Sequence, residues 1–180
     1  MMRPRSKGTH RVPGRVTAGN RGSPRIVPDY RDLVGAVTAA REGGKRVVLS
    51  NGAFDLLHVG HIRSLEGAKA LGDLLVVAVN ADASVRAAKG PLRPVVPLAE
   101  RMETLAALRC VDYVTSFPEP TADAVIRALR PHVHAKGTDY SPGTDPERDA
   151  VRAVGGKTVI TGDPKDHAVT DLLARIRGGR

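Results

Sequence analysis

The stretch "RVVLSNGAFDLLHVGHIRSLEGAKALGDLLVVAVN", Arg46 to Asn80, decides the architecture of this chain. Its first six residues, "RVVLSN" (46–51), hold the continuous run Val47-Val48-Leu49 with two β-branched side chains, the pattern of a strand buried on both faces. "VGHIRSLEGAKALG" then carries helical sequence and stops at Gly72, and "DLLVVAVN" (73–80) is a second buried strand. A strand, a helix and a strand in that order pair in parallel, with the helix laid across one face of the sheet.

The same alternation extends in both directions. "DYRDLVGAVTAAREGGK" begins at an Asp cap and ends at a glycine pair, which predicts a helix. "PLAERMETLAALR" (97–109) opens on proline and places Leu98, Met102 and Leu105 on one helical face. "VDYVTSF" reads as a strand, "TADAVIRALR" as a helix and "HVHAKG" as a strand end. "PERDAVRAVGG", "KTVIT" and "AVTDLLARI" then supply a helix, a strand and a closing helix. The expectation is a Rossmann-like three-layer α/β sandwich: a parallel five-stranded sheet with helices on both faces. Residues 29–180 form one domain with no internal repeat.

The formal charge of +9 belongs to one end of the chain. Residues 1–25 hold seven bases (Arg3, Arg5, Lys7, Arg11, Arg15, Arg21 and Arg25) and no acid, leaving 21 bases against 19 acids elsewhere. The excess therefore marks a tail, assigned to residues 1–28 and expected to be disordered, and argues against a nucleic-acid-binding face. One cysteine, Cys110, excludes an intramolecular disulfide and fits a reducing cytoplasm. No apolar run reaches the roughly 18 residues that a membrane span needs. Neither a signal peptide nor a membrane partner is expected.

In parallel α/β sheets, ligands bind beyond the carboxyl ends of the strands, so those positions hold the candidate site. After the first core strand stands Asn51-Gly52-Ala53-Phe54-Asp55, and the next helix opens near Val59-Gly60-His61. Neither G-x-G-x-x-G nor G-x-x-x-x-G-K-[ST] is present, which counts against a dinucleotide site and excludes a P-loop. A helix N-terminus still offers unpaired N–H groups and partial positive charge to a phosphate, and His58 and His61 can add donors there. Gly60 between them leaves the backbone open to a ligand. The pair also invites a metal reading, but its spacing of three differs from the usual four, and His10, His132, His134 and His167 supply no matching partner. Two packed imidazoles are the third alternative.

The segment "NGAFDLLHVGH" resembles the signature of the cytidylyltransferase-like nucleotidyltransferase superfamily, whose hallmark is H-x-G-H after the first strand. The similarity runs on through "GDLLVVAVNADASVRAAKGPLRPVVPLAERMETLAALRCVDYV" to "AKGTDY" and covers nearly all of residues 46–178. Within the superfamily the chain most resembles the heptose 1-phosphate adenylyltransferases, which make ADP-heptose. Bifunctional members fuse this domain to a sugar kinase; with no kinase sequence here, the stand-alone type is expected.

That resemblance implies roles for individual residues. His58 and His61 would stabilise charge on the transferring phosphoryl group, and Lys89, expected in a Gly- and Pro-bearing loop after the second strand, would neutralise the triphosphate, with an ordinary surface lysine as the lesser alternative. Asn51, Gly52, Ala53, Phe54, Gly60, Lys136, Gly137, Asp139, Tyr140 and Thr170 would hold the nucleotide. Asp55 would orient the turn or a histidine, or serve as a helix cap. Asn80, Asp82, Arg93 and Arg101 would face the sugar phosphate. The implied partners are ATP and a sugar 1-phosphate, with Mg²⁺ riding on the ATP phosphates and no protein metal ligands; relatives often form homodimers. The implied reaction is attack of the sugar phosphate oxygen on the α-phosphorus, with pyrophosphate leaving in line. A cytidylyl- or guanylyltransferase acting on another sugar or polyol phosphate is the alternative within the superfamily, and a non-catalytic nucleotide- or nucleic-acid-binding protein the alternative outside it. Two departures stand out: Ala53 where relatives carry Cys, and Ala168-Val169-Thr170 where they carry a Ser/Thr run. Lys165 and His167 are candidates to compensate for the second.

Overall fold

The computed structural model describes residues 25–138, 140, 145–163, 176 and 178. The element order is β1 (Ile26–Asp29), a 3-10 turn (Tyr30–Leu33), α1 (Val34–Glu42), β2 (Val47–Gly52), α2 (Val59–Lys69), β3 (Leu74–Asn80) and α3 (Asp82–Lys89). Then follow α4 (Leu98–Ala106), β4 (Tyr113–Phe117), α5 (Asp123–Leu129), β5 (Val133–Gly137), α6 (Arg148–Ala153) and β6 (Lys157–Thr161). The strands pair in parallel in the order β1-β4-β3-β2-β5-β6.

The alternation of side chains along each strand divides the core into two layers. Val47, Leu49, Val76 and Ala78 pack with Leu33, Val37, Val125, Ile126 and Val151, so the 3-10 turn, α1, α5 and α6 cover one face. Val48, Leu75, Val77 and Val79 pack with Leu65, Ala68, Met102 and Leu105, so α2 and α4 cover the other. Each fully buried Val or Leu contributes about 1.5–3 kcal/mol, and aliphatic side chains carry nearly all of this core. Gly72 is required where α2 hands over to β3. A Cβ there would stand 2.5 Å from the Arg46 carbonyl oxygen and 2.7 Å from Val48 Cγ2.

The sheet has six strands among the described residues, not five, and the extra one lies at its edge. β1 begins inside the stretch assigned to the tail. Arg25 belongs to the folded domain as well: its carbonyl accepts the Val114 N–H at 2.7 Å, and its Nη1 donates to the carbonyls of Ala106 and Leu108. "IVPD" was illegible as a strand because it is four residues long and contains proline, which only an edge strand tolerates. The short α3 was also missed, since Val85 is its one buried residue and draws no apolar stripe. Asp29 caps as expected, its carboxylate accepting the Arg31 N–H at 2.9 Å, but it caps the 3-10 turn that precedes α1. Residues 1–24 and the expected closing helix, apart from the helical Ile176, lie outside the described residues.

Candidate active site

The chain leaves β2 toward β3 on one side and leaves β5 toward β6 on the other, so the topology reverses between β2 and β5. A crevice forms beyond the carboxyl ends of two strands that part in this way. Ser50 lies opposite Ala135 in the register, which places Asn51 at the end of β2 beside Lys136 near the end of β5. Two segments distant in sequence thus meet at the expected place: Lys136 Nζ donates to Asn51 Oδ1 at 3.3 Å. Past β5, the Tyr140 N–H returns to the Gly137 carbonyl, and the half-exposed Tyr140 ring covers Lys136, with Nζ 4.5 Å from the ring centroid.

On the α2 side, His58 is the N-cap and His61 stands three residues into the helix. The rings stack with centroids 3.9 Å apart, and His61 Nδ1 accepts the His58 backbone N–H at 3.4 Å. Nδ1 of His61 is therefore the lone-pair nitrogen, and in the neutral ring the proton sits on Nε2, where it is a donor. The Phe54 ring meets His61 edge-on at 5.4 Å. Phe54 has a left-handed backbone (φ +46°) and folds its ring over Gly52, where a Cβ would stand 3.3 Å from Cε2. The strained turn and the missing side chain at Gly52 together seat the aromatic wall against the histidine. The helix start and the paired imidazoles make an anion-accepting end.

Arg101 departs from its expected role of phosphate contact. Its side chain is fully buried and points into the protein, where Nε donates to Val96 O at 3.0 Å and Nη2 to Asn80 O at 2.9 Å and Asp82 Oδ1 at 2.7 Å. Nη1 donates to the Ala53 carbonyl. One guanidinium thus ties together the ends of β2 and β3, the start of α3 and the loop before α4. It positions Ala53, Asn80 and Asp82 and has no face left for a ligand. Asp55 is likewise turned into the protein and, among the described residues, caps no helix. Its buried carboxylate takes Arg93 Nε at 2.5 Å and the backbone N–H groups of Val95 and Val96 at 2.7 and 2.9 Å. Arg93 is therefore a brace for the loop that follows Leu92.

Lys89 is exposed and closes α3, with Gly90 (φ +95°) as the cap, where the sequence suggested a loop. Asp139 and Thr170 lie outside the described residues, as do Lys165, His167 and the stretch Ala168-Val169-Thr170.

Behind Asn51 lies a buried polar network that sequence reasoning missed. His134 Nε2 donates to Asn51 Oδ1 at 2.7 Å, and Asn51 Nδ2 donates to Glu147 Oε1 at 3.2 Å. Glu147 also accepts the Ala122 N–H, and its Oε2 lies 2.7 Å from Lys136 Nζ. Asp145 accepts the Thr158 hydroxyl at 2.7 Å and the Glu147 N–H at 3.1 Å, and lies 3.5 Å from His134 Nδ1. Burial pushes the Asp145 carboxyl up, but hydrogen bonds from His134, Thr158 and Glu147 outweigh it and hold the group well below the usual carboxylate range. The available signal was "HVHAKG" itself: polar side chains at every second position of an otherwise buried strand demand partners. Among the described residues, no three His, Cys, Asp or Glu side chains form a group that could hold a metal ion, and no helix is long and apolar enough to cross a membrane.

A parallel sheet with an anion-accepting helix start at its switch point, itself formed by the H-x-G-H signature, defines an α/β nucleotidyltransferase. Residues 49–168 match the model of the family described as cytidylyltransferase-like, and the chain belongs to that family. It is 44% identical over 147 residues to the bifunctional protein HldE of Pelobacter propionicus, an alignment covering 81% of this chain and 30% of that one. The bifunctional protein HldE of Halorhodospira halophila is 48% identical over 151 residues, covering 84% of this chain and 32% of that one. The chain thus spans about a third of the length of these relatives. Among solved structures it is similar to a lipopolysaccharide core biosynthesis protein from Thermoplasma volcanium. The TM-score is 0.60 at 27% identity, covering 68% of this chain and 100% of that one.

Proposed function

We propose that this protein transfers AMP from ATP to a sugar 1-phosphate, D-glycero-D-manno-heptose 1-phosphate by preference, releasing pyrophosphate and forming ADP-heptose. The observation that carries the reading is the stacked His58–His61 pair at the start of α2, beside the β2–β5 switch point. The family, and the similarity to bifunctional HldE proteins and to a lipopolysaccharide core biosynthesis protein, support it.

In this reading the sugar phosphate oxygen attacks the α-phosphorus, a P–O bond forms, and the bond to the β-phosphate oxygen breaks as pyrophosphate departs. The attacking phosphate is already anionic, so the chain needs no nucleophile of its own, and catalysis is positioning and charge neutralisation. His61, with its donor at Nε2, and His58 stabilise the charge on the transferring group; Lys89 neutralises the triphosphate. Asn51, Gly52, Gly60, Gly137 and Tyr140 line the nucleotide end, and Asn80, Asp82 and Arg93 the acceptor end. Magnesium fits as a passenger of the triphosphate that offsets phosphate charge, since Asp55 and Asp82, the carboxylates at the ends of β2 and β3, are held by arginines. A cytoplasmic setting belongs to the same reading, supported by the single cysteine.

The test is a screen of ATP, CTP and GTP against heptose 1-phosphate and other sugar and polyol phosphates, read as pyrophosphate release. Turnover with ATP and heptose 1-phosphate is expected. A preference for another triphosphate or acceptor replaces that assignment, and release from no pair overturns it.

A further inference from the structure

Asn51 has one group left to offer a ligand. Its Oδ1 has two lone pairs, and His134 Nε2 and Lys136 Nζ take both. Its Nδ2 gives one hydrogen to Glu147 Oε1, and among the described residues the other has no partner. The orientation of this amide is unambiguous, because a carboxylate only accepts and an ammonium only donates. The half-buried Asn51 therefore presents an N–H and cannot present a carbonyl.

The charge beside it is spent as well. Lys136 is 3% exposed, with Glu147 Oε2 at 2.7 Å and Asp145 at 3.9 Å, and the Tyr140 ring lies over the ammonium. A buried ammonium paired in this way exerts little pull on a phosphate, in contrast to the helix start that carries His58 and His61. The crevice thus has two unlike ends. One is anion-accepting; the other offers a donor and an aromatic face over a neutralised base.

We propose that Glu147 is a positioning residue of the nucleotide site. By locking Asn51 as a donor and cancelling the charge of Lys136, it makes the β2–β5 end a seat for the uncharged nucleoside and keeps the phosphates at the α2 end. His134 supports the same arrangement from the other side of Asn51. This inference rests on the proposed nucleotidyl transfer, and Glu147 acts through Asn51 and Lys136 without touching the substrate.

Binding of ATP and of inorganic tripolyphosphate, measured by calorimetry on the full chain, separates the two ends. Glu147→Gln keeps an acceptor for Asn51 but takes the counter-charge from Lys136. His134→Leu frees one lone pair of Asn51 while Lys136, Glu147 and Asp145 stay paired. Each variant is expected to weaken ATP by about tenfold, the scale of one well-placed hydrogen bond. Tripolyphosphate affinity should stay within about twofold of the wild type in His134→Leu and should rise in Glu147→Gln, where the uncovered Lys136 charge attracts phosphate, a split that general loosening of the fold does not produce. If Glu147→Gln does not fold, His134→Leu decides alone. ATP binding unchanged in the folded variants overturns the proposal, as does equal weakening of ATP and tripolyphosphate. A wild-type protein that binds ATP no better than tripolyphosphate also overturns it, whereas failure to bind either removes the nucleotidyl-transfer reading itself.

Discussion

Arg101 on α4 and Asp82 at the start of α3 meet at 2.7 Å, with the arginine side chain fully buried and the aspartate one third exposed. The pair sits directly beneath the ends of β2 and β3, and the same guanidinium holds the carbonyls of Ala53, Asn80 and Val96. An arginine that looks available in sequence is in fact the joint between the core and the site.

Replacing Arg101 by methionine leaves three backbone carbonyls and one carboxylate without their donor. The expected loss is about 3 kcal/mol, the scale of breaking a buried, hydrogen-bonded ion pair. Urea denaturation checks this. A variant as stable as the wild type would show that the strand ends hold themselves.

His58→Ala and His61→Ala should each lower kcat by at least ~10²-fold, as expected on removing a group that stabilises transition-state charge. His61→Ala also removes the acceptor for the His58 N–H and costs about 1 kcal/mol of stability. Pyrophosphate release at saturating substrate, with circular dichroism as the fold control, measures both. A kcat near the wild-type value in either variant removes that histidine from the mechanism.

Asp55→Ala strands the Arg93 guanidinium and the N–H groups of Val95 and Val96. About 3 kcal/mol of stability should be lost. Asp55→Asn retains one acceptor oxygen and should lose less. The order of the two urea midpoints is the readout, and equal midpoints would contradict the bracing role.

Asp145 makes folding sensitive to acid. Its carboxyl is held below its ordinary value, so it contributes stability that is complete above the unfolded value of about 3.9 and is lost as pH falls toward the folded one. Asp145→Asn should therefore flatten the fall in stability between about pH 5 and pH 3. Unfolding curves at both pH values for the two proteins make the comparison, and parallel losses would place the acid sensitivity elsewhere.

What the amino-acid sequence determined by itself is local in origin. Runs such as "VVL" (47–49) and "LLVVAV" (74–79) specify buried strands because they are valine-rich and too short for a helix, and strand-helix alternation favours parallel pairing. The placement of His58 and His61 at a helix start was legible for the same reason: a strand end and a helix beginning a few residues apart must face the same crevice. Strand β1 escaped because the edge position that tolerates Pro28 is a property of the sheet and leaves no mark in four residues. Only the tertiary structure decided where the charges go. Whether Arg101 or Lys136 reaches a ligand or a buried carboxylate depends on partners 19 positions away in one case and 11 in the other. Burial makes such pairing obligatory but does not name the partner; the fold does, by bringing the start of α3 to Arg101 on α4 and the residue before α6 to Lys136 on β5.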